Sequence, residues 1–126
     1  MRDLPKALPT EAIVYGRLPL MIMENCIIKN KSGRCSCNNV NILTDRKGIR
    51  FPVVPAPGCR NEILNSAKLF LADKKADYEK IGLWAVRLLF TTENAFECAK
   101  VTERYLRESN YEPGEFTRGL YYRDLQ

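Results

Sequence analysis

Five cysteines and no histidine bound the chemistry open to this chain of 126 residues. Without imidazole there is no Ser-His-Asp or Cys-His nucleophile and no H-E-x-x-H zinc motif, so a conventional hydrolase site is excluded within these residues. Thiolates are soft ligands that suit zinc, copper and iron–sulfur clusters. Cys26 is followed after eight residues by Cys35, after one more by Cys37, and after a further 21 by Cys59. All four lie in turn-rich sequence, where several thiols can converge, and in a reducing compartment such a group points to metal rather than to disulfides. Zinc ribbons pair their ligands in C-x₂₋₄-C knuckles, which this spacing lacks. Cys35-Ser36-Cys37 suits neighbouring irons instead, so the spacing leans toward an iron–sulfur cluster over zinc, with Cys26, Cys35, Cys37 and Cys59 as the ligands. Cys98 recurs on the apolar side of a helical pattern and reads as a core thiol.

The charge balance is mildly basic, with 20 Lys and Arg against 15 Asp and Glu, spread along the chain without a block. The tightest basic groups, Lys29, Lys31 and Arg34, then Arg46, Lys47 and Arg50, flank the cysteines. Positive charge there would offset an anionic thiolate–metal centre or draw in an anionic partner such as RNA. Arg34, Arg46 and Arg60 are the candidate anion-binding residues, against the plainer reading of a solvated basic surface.

The elements that must position these groups give an α/β chain of one domain. Residues 1–10, with two prolines, read as an arm or linker. Residues 11–61 hold strands around Ile13 and Leu18–Met23, an irregular cysteine loop over 27–39, and a hairpin. Its strands, Asn41–Thr44 and Ile49–Val54, are closed by Asp45-Arg46-Lys47-Gly48, with Pro52 predicting an edge position for the second. Residues 62–110 form a βαβα segment: a short strand at Glu62–Leu64, a helix capped by Asn65 or Ser66 through about Ala72, and a helix over Asp77–Ile81. A strand over Leu83–Phe90 of the kind buried on both faces of a parallel sheet follows, then an amphipathic helix capped by Thr91 or Thr92 that runs to about Glu108. Residues 111–126 are a tail whose Phe116, Tyr121 and Tyr122 suggest an ordered extension. No apolar run reaches the roughly 20 residues that span a bilayer, and the first residues do not read as a secretory signal. No membrane is expected, and the cytoplasm is the expected compartment.

Several short motifs then occur in order: Val14-Tyr-Gly-Arg-Leu-Pro-Leu-Met21, Glu24-Asn-Cys26, Leu43-Thr-Asp-Arg-Lys-Gly48, Phe51-Pro-Val53 and Cys59-Arg-Asn-Glu-Ile-Leu-Asn-Ser66. Together they closely resemble the collagenase-like peptidase family, peptidase family U-thirty-two. Leu88-Leu-Phe-Thr-Thr-Glu-Asn94 and Thr117-Arg-Gly-Leu-Tyr-Tyr122 extend the resemblance over about Ile13 to Tyr122. It implies the carboxy-terminal part of a (β/α)-barrel-like protein, whose remaining strands would come from an amino-terminal portion or a companion chain. It also implies a four-iron four-sulfur cluster on Cys26, Cys35, Cys37 and Cys59, as in members linked to oxygen-independent hydroxylation of RNA bases or quinone precursors. Other members carry only a peptidase (protease) label with no agreed catalytic residues, so the implied substrate is RNA or peptide. Ser66, beside Asn65, reads as a helix cap rather than a nucleophile, and Asp45 as part of the hairpin turn. The competing reading is a zinc-stabilised module that binds RNA or a partner without catalysis of its own.

Overall fold

Two groups of buried side chains organise the chain in the computed structural model, which describes residues 8–35, 39–107 and 109–119. Each group lies in its own compact unit: one comprises the chain up to Gly16 together with Ala67 onward, the other Arg17–Ser66. The fold is mixed α/β, with two four-stranded sheets and three α-helices among the described residues. Both sheets are open, and neither closes into a barrel. No helix among the described residues is long and apolar enough to cross a membrane.

In the first unit, β1 (Glu11–Gly16) pairs in parallel with β7 (Ala85–Leu89) and antiparallel with β6 (Lys68–Phe70), and β6 pairs in parallel with β8 (Phe116–Thr117). A 3₁₀ turn (Ala72–Lys74) and α2 (Lys75–Lys80) follow β6, and α3 (Ala95–Leu106) follows β7. The core joins Val14, Tyr15 and Phe70 to Ala72 and to Val101 and Tyr105 of α3. Its rings meet edge to face, Tyr15 on Phe70 and Phe70 on both Tyr105 and Phe116, the arrangement that the ring quadrupole favours. The Tyr105 hydroxyl donates to the Val14 carbonyl at 2.6 Å and accepts the Leu71 amide at 3.0 Å, so the helix is bonded as well as packed.

Several local expectations change here. Residues 68–70 are the strand β6, not a helix, because Leu69 and Phe70 are drawn into the sheet against Gly16 and Tyr15. Asn65 and Ser66 therefore cap nothing; their carbonyls accept the Arg17 guanidinium. β7 is an edge strand rather than one buried on both faces, and Val86 and the nearby Trp84 are exposed. The α3 cap is Asn94, which forms a reciprocal box with Glu97 (2.9 Å each way), rather than Thr91 or Thr92. Glu93 does something else. Its Oε2 accepts the Thr91 and Thr92 amides at 2.8 and 3.1 Å, while Oε1 accepts the Tyr15 hydroxyl at 3.1 Å and faces Lys68 Nζ at 3.3 Å.

The second unit is an antiparallel sheet in the order β2-β5-β4-β3, with β2 Pro19–Met23, β3 Asn41–Thr44, β4 Arg50–Ala56 and β5 Arg60–Leu64. Pro19 opens the edge strand β2 as its missing N–H requires. Pro52 does not force β4 to an edge. The β4–β5 ladder starts at Val53↔Ile63, one residue past Pro52, and the β3–β4 ladder ends at Asn41↔Val53, before Pro55. Each proline therefore lies where one flank of the strand has no neighbour. The hairpin turn forms as read from the sequence: Asp45 Oδ1 accepts the Lys47 and Ile49 amides at 2.7 and 2.9 Å, and Gly48 takes φ 80°. Between β2 and β3 the expected irregular loop contains a short helix, α1 (Ile27–Ser32).

Glu93 has a side chain with no exposed surface, beside a Lys68 side chain that is 13% exposed. Burial alone would raise its carboxyl, but the amide donors, the Thr91 N–H foremost, and the Lys68 ammonium hold it below the usual carboxylate range. A group depressed in the folded state contributes stability that is complete above its unfolded value and is lost as pH falls through the folded one. Glu93→Ala strands two amides and leaves Lys68 only its longer, 3.8 Å approach to Glu97, and is expected to lower unfolding free energy at neutral pH by about 3 kcal/mol. Urea denaturation should show that difference shrinking in acid; a constant difference would mean that the carboxylate charge contributes nothing. Gly16 lies at φ 122°, and a Cβ there would collide with the Leu89 carbonyl. Gly16→Ala should therefore cost about 3 kcal/mol in the same assay.

Candidate metal centre

Cys26 follows β2 and caps α1. Its backbone is extended (φ −72°, ψ 106°), and its Sγ takes the place of the usual cap oxygen, accepting the Lys29 amide at 3.4 Å. That bond, ahead of the burial that opposes it, lowers the thiol below its ordinary range and favours the thiolate form that binds metal. The helix then stops at Gly33, whose left-handed φ of 72° lets its N–H return to the Lys29 carbonyl at 2.8 Å. This reversal brings Cys35 back over the start of the helix, where its Sγ is 3.9 Å from that of Cys26.

The third sulfur comes from the other end of the sheet's sequence. Pro57 and Gly58 turn β4 into β5, with Gly58 at φ 79°. Cys59 itself sits at φ 58°, the one non-glycine residue with positive φ among the described residues. Such a backbone costs on the order of 1–3 kcal/mol and persists where the surroundings impose it. Here it directs Cys59 Sγ to within 3.6 Å of Cys35 Sγ. The three sulfurs all lie within 4.8 Å of one another, so Cys26, Cys35 and Cys59 could hold a metal ion. Cys26 is buried, while Cys35 and Cys59 face solvent. Cys37, the fourth expected ligand, lies outside the described residues.

Asn61 is a site residue that the sequence reading missed. It is the buried polar residue of this unit, 4% exposed, and its Oδ1 accepts the Ile27 amide at 2.7 Å. It thereby ties the first turn of α1, and Cys26 with it, to β5 two residues after Cys59. No local signal marks it, because its partner lies 34 residues away in sequence.

The candidate anion-binding residues are less unified. Arg34 is exposed next to Cys35, and Arg46 is exposed in the β3–β4 turn. Arg60, next to Cys59, is engaged with Glu24 at 3.2 Å, its own side chain about half exposed and that of Glu24 largely in solvent. Arg34 and Arg60 thus adjoin thiols in sequence, whereas Arg46 belongs to the hairpin tip. Cys98 stands apart in α3, partly buried and a free thiol. No family model, curated protein or solved structure matches the chain.

Asn61→Ala leaves the Ile27 amide without its acceptor. It is expected to cost about 2 kcal/mol and to speed reaction of Cys26 with a thiol reagent in the metal-free native protein. An unchanged Cys26 labelling rate, measured by mass spectrometry, would show that the helix start holds without Asn61.

Proposed function

We propose that this chain is the carboxy-terminal portion of a protein of the collagenase-like, U-thirty-two peptidase type, and that Cys26, Cys35, Cys37 and Cys59 carry its metal centre. The observation that carries the reading is the convergence of three cysteine sulfurs from three separately shaped turns: a helix cap, a glycine-terminated helix end and a strained strand connection. Solvated surface cysteines need no such arrangement.

The preferred occupant is a four-iron four-sulfur cluster. Its irons take one thiolate each, and the donor set of soft sulfurs suits it. Cys26, buried and favoured as thiolate, would be the fixed ligand. Cys35 and Cys59 lie on the solvent side. When bound, the cluster would supply one-electron redox chemistry, which accords with the hydroxylation-linked members of that family better than with proteolysis. These residues offer no histidine to activate a nucleophile. The open edge of β7, with Val86 and Trp84 exposed, supports a larger (β/α) assembly completed by an amino-terminal portion or a companion chain. RNA or peptide is the substrate class this reading takes, and the reducing cytoplasm is the compartment in which its thiols would stay available.

The sulfur separations favour a second reading. Tetrahedral zinc with bonds of about 2.3 Å sets its sulfurs about 3.8 Å apart, close to the 3.9 and 3.6 Å seen between Cys26, Cys35 and Cys59. A four-iron cluster spreads them more widely, since each thiolate lies outside a different iron. Under this reading the ion is structural, and the basic loops grip RNA or another partner.

Anaerobic purification followed by elemental and sulfide analysis separates the two. Four irons with matching acid-labile sulfide and a brown colour are the expected result for the cluster; about one zinc per chain and no colour is the result for the second reading. Cys26→Ser and Cys37→Ser should each remove most of the metal. Metal-free protein from both anaerobic and zinc-supplemented growth would sink the metal centre altogether.

A further inference from the structure

Away from the thiols, the unit built on β1 and α3 has a second concentration of charge. Lys75 at the start of α2 and Arg104 and Arg107 at the end of α3 line one concavity of about 370 Å³, together with Asp73 and the Tyr105 ring. The carboxylate on that wall is already occupied: Asp73 Oδ2 accepts Arg118 Nη2 at 2.7 Å and Nε at 3.1 Å. Lys75 has only a 3.9 Å approach to Glu79, with both side chains more than half exposed. The concavity is therefore lined by three basic residues against one carboxylate that has its own cation.

Arg104 sharpens the case. Its Nε is buried, with no hydrogen-bond partner among the described residues. An unanswered buried donor on a charged group is costly, and an anion drawn to the guanidinium would offset that cost. Arg17 Nε is also buried and unanswered, but the Arg17 guanidinium already donates to the Asn65 and Ser66 carbonyls. Cations in the last turn of a helix do complement its dipole. That role is fulfilled by charge near the terminal carbonyls and does not require a buried, unbonded Nε.

We infer that this concavity binds a phosphate group, the oxyanion of a phosphomonoester or of a nucleic-acid backbone. A guanidinium presents paired N–H donors in a plane that matches two oxygens of a phosphate, and an adjacent ammonium adds a point charge. Two such forks and one ammonium suit a tetrahedral anion of charge near −2 better than a single carboxylate. The site does not depend on the metal reading, since none of its residues belongs to the thiol-bearing unit.

The test is a titration of the full chain, labelled with nitrogen-15, followed through its arginine Nε–H signals. Inorganic phosphate, a 5′-mononucleotide and a short single-stranded RNA are the three probes. Arg104 Nε–H should shift saturably with at least one of them. Saturation by phosphate and mononucleotide alike identifies a phosphomonoester site; saturation by RNA alone, with affinity falling steeply in salt, identifies a backbone site. Arg104→Gln and Arg107→Gln should each weaken the responsive probe about tenfold, and Arg107 at the helix end gives the comparison should the Arg104 variant fold poorly. Lys100→Gln, on α3 but outside the concavity, should leave binding unchanged. An Arg104 Nε–H that moves with none of the probes overturns the site, as does a Lys100→Gln loss equal to that of Arg107→Gln.

Discussion

The bond from the Ile27 amide to the Asn61 carboxamide is the constraint on which the thiol-bearing unit depends. A helix of six residues has no stability of its own in water, and α1 buries none of its residues. What holds it are its ends: Cys26 Sγ and Asn61 Oδ1 at the start, and the Gly33 N–H returning to Lys29 at the finish. Asn61 is placed in turn by β5, where it stands opposite Met23 of β2 and Pro55 of β4. The position of Cys26 is thus set by the sheet through one side chain, and Cys59 belongs to the same strand connection. Two cysteines from distant parts of the sequence share a single rigid reference.

The other unit solves a similar problem with aromatic and charged groups. Tyr15 and Tyr105 are buried phenols whose hydroxyls bond across elements, and burial pushes both well above the ordinary tyrosine range. Glu93 is the one member of that network whose charge responds to acid, and it joins β1, β6 and the start of α3 through Tyr15, Lys68 and two loop amides.

Much of this was legible from residue types. The Asp45–Gly48 turn, the β3–β4 pairing, the strand near Ala85–Leu89 and the helix α3 follow from turn chemistry and periodicity, which are local, although α3 buries Val101 and Tyr105 while Ala95, Ala99 and Leu106 stay exposed. The convergence of Cys26, Cys35 and Cys59 was legible because turn residues surround each of them. The misreadings share a different cause. Leu69 and Phe70 become a strand because β1 offers an edge to pair with, and Pro52 is accommodated inside the sheet because its ladders are staggered. Asn94 displaces Thr91 and Thr92 as the cap because Glu97 sits three residues on to complete the box. Asn61 and Glu93 were invisible as anchors, since what matters about them is a partner 34 or 78 residues away in sequence. Tertiary contacts decide those positions, and no local pattern announces them.

β1 ends where the chain departs into residues 17–66, and β6 begins just after it returns, with Gly16 opposite Leu69 and Tyr15 opposite Phe70. In terms of chain connectivity, the whole thiol-bearing unit is the loop of an enlarged hairpin. Because the entropic cost of closing a loop grows only slowly with its length, the sheet that receives it is nearly indifferent to how much sequence the excursion contains. Such a junction tolerates the lengthening, trimming or exchange of what it carries, so a lineage could vary the cysteine-bearing segment while leaving the β1–β6 pairing as it stands.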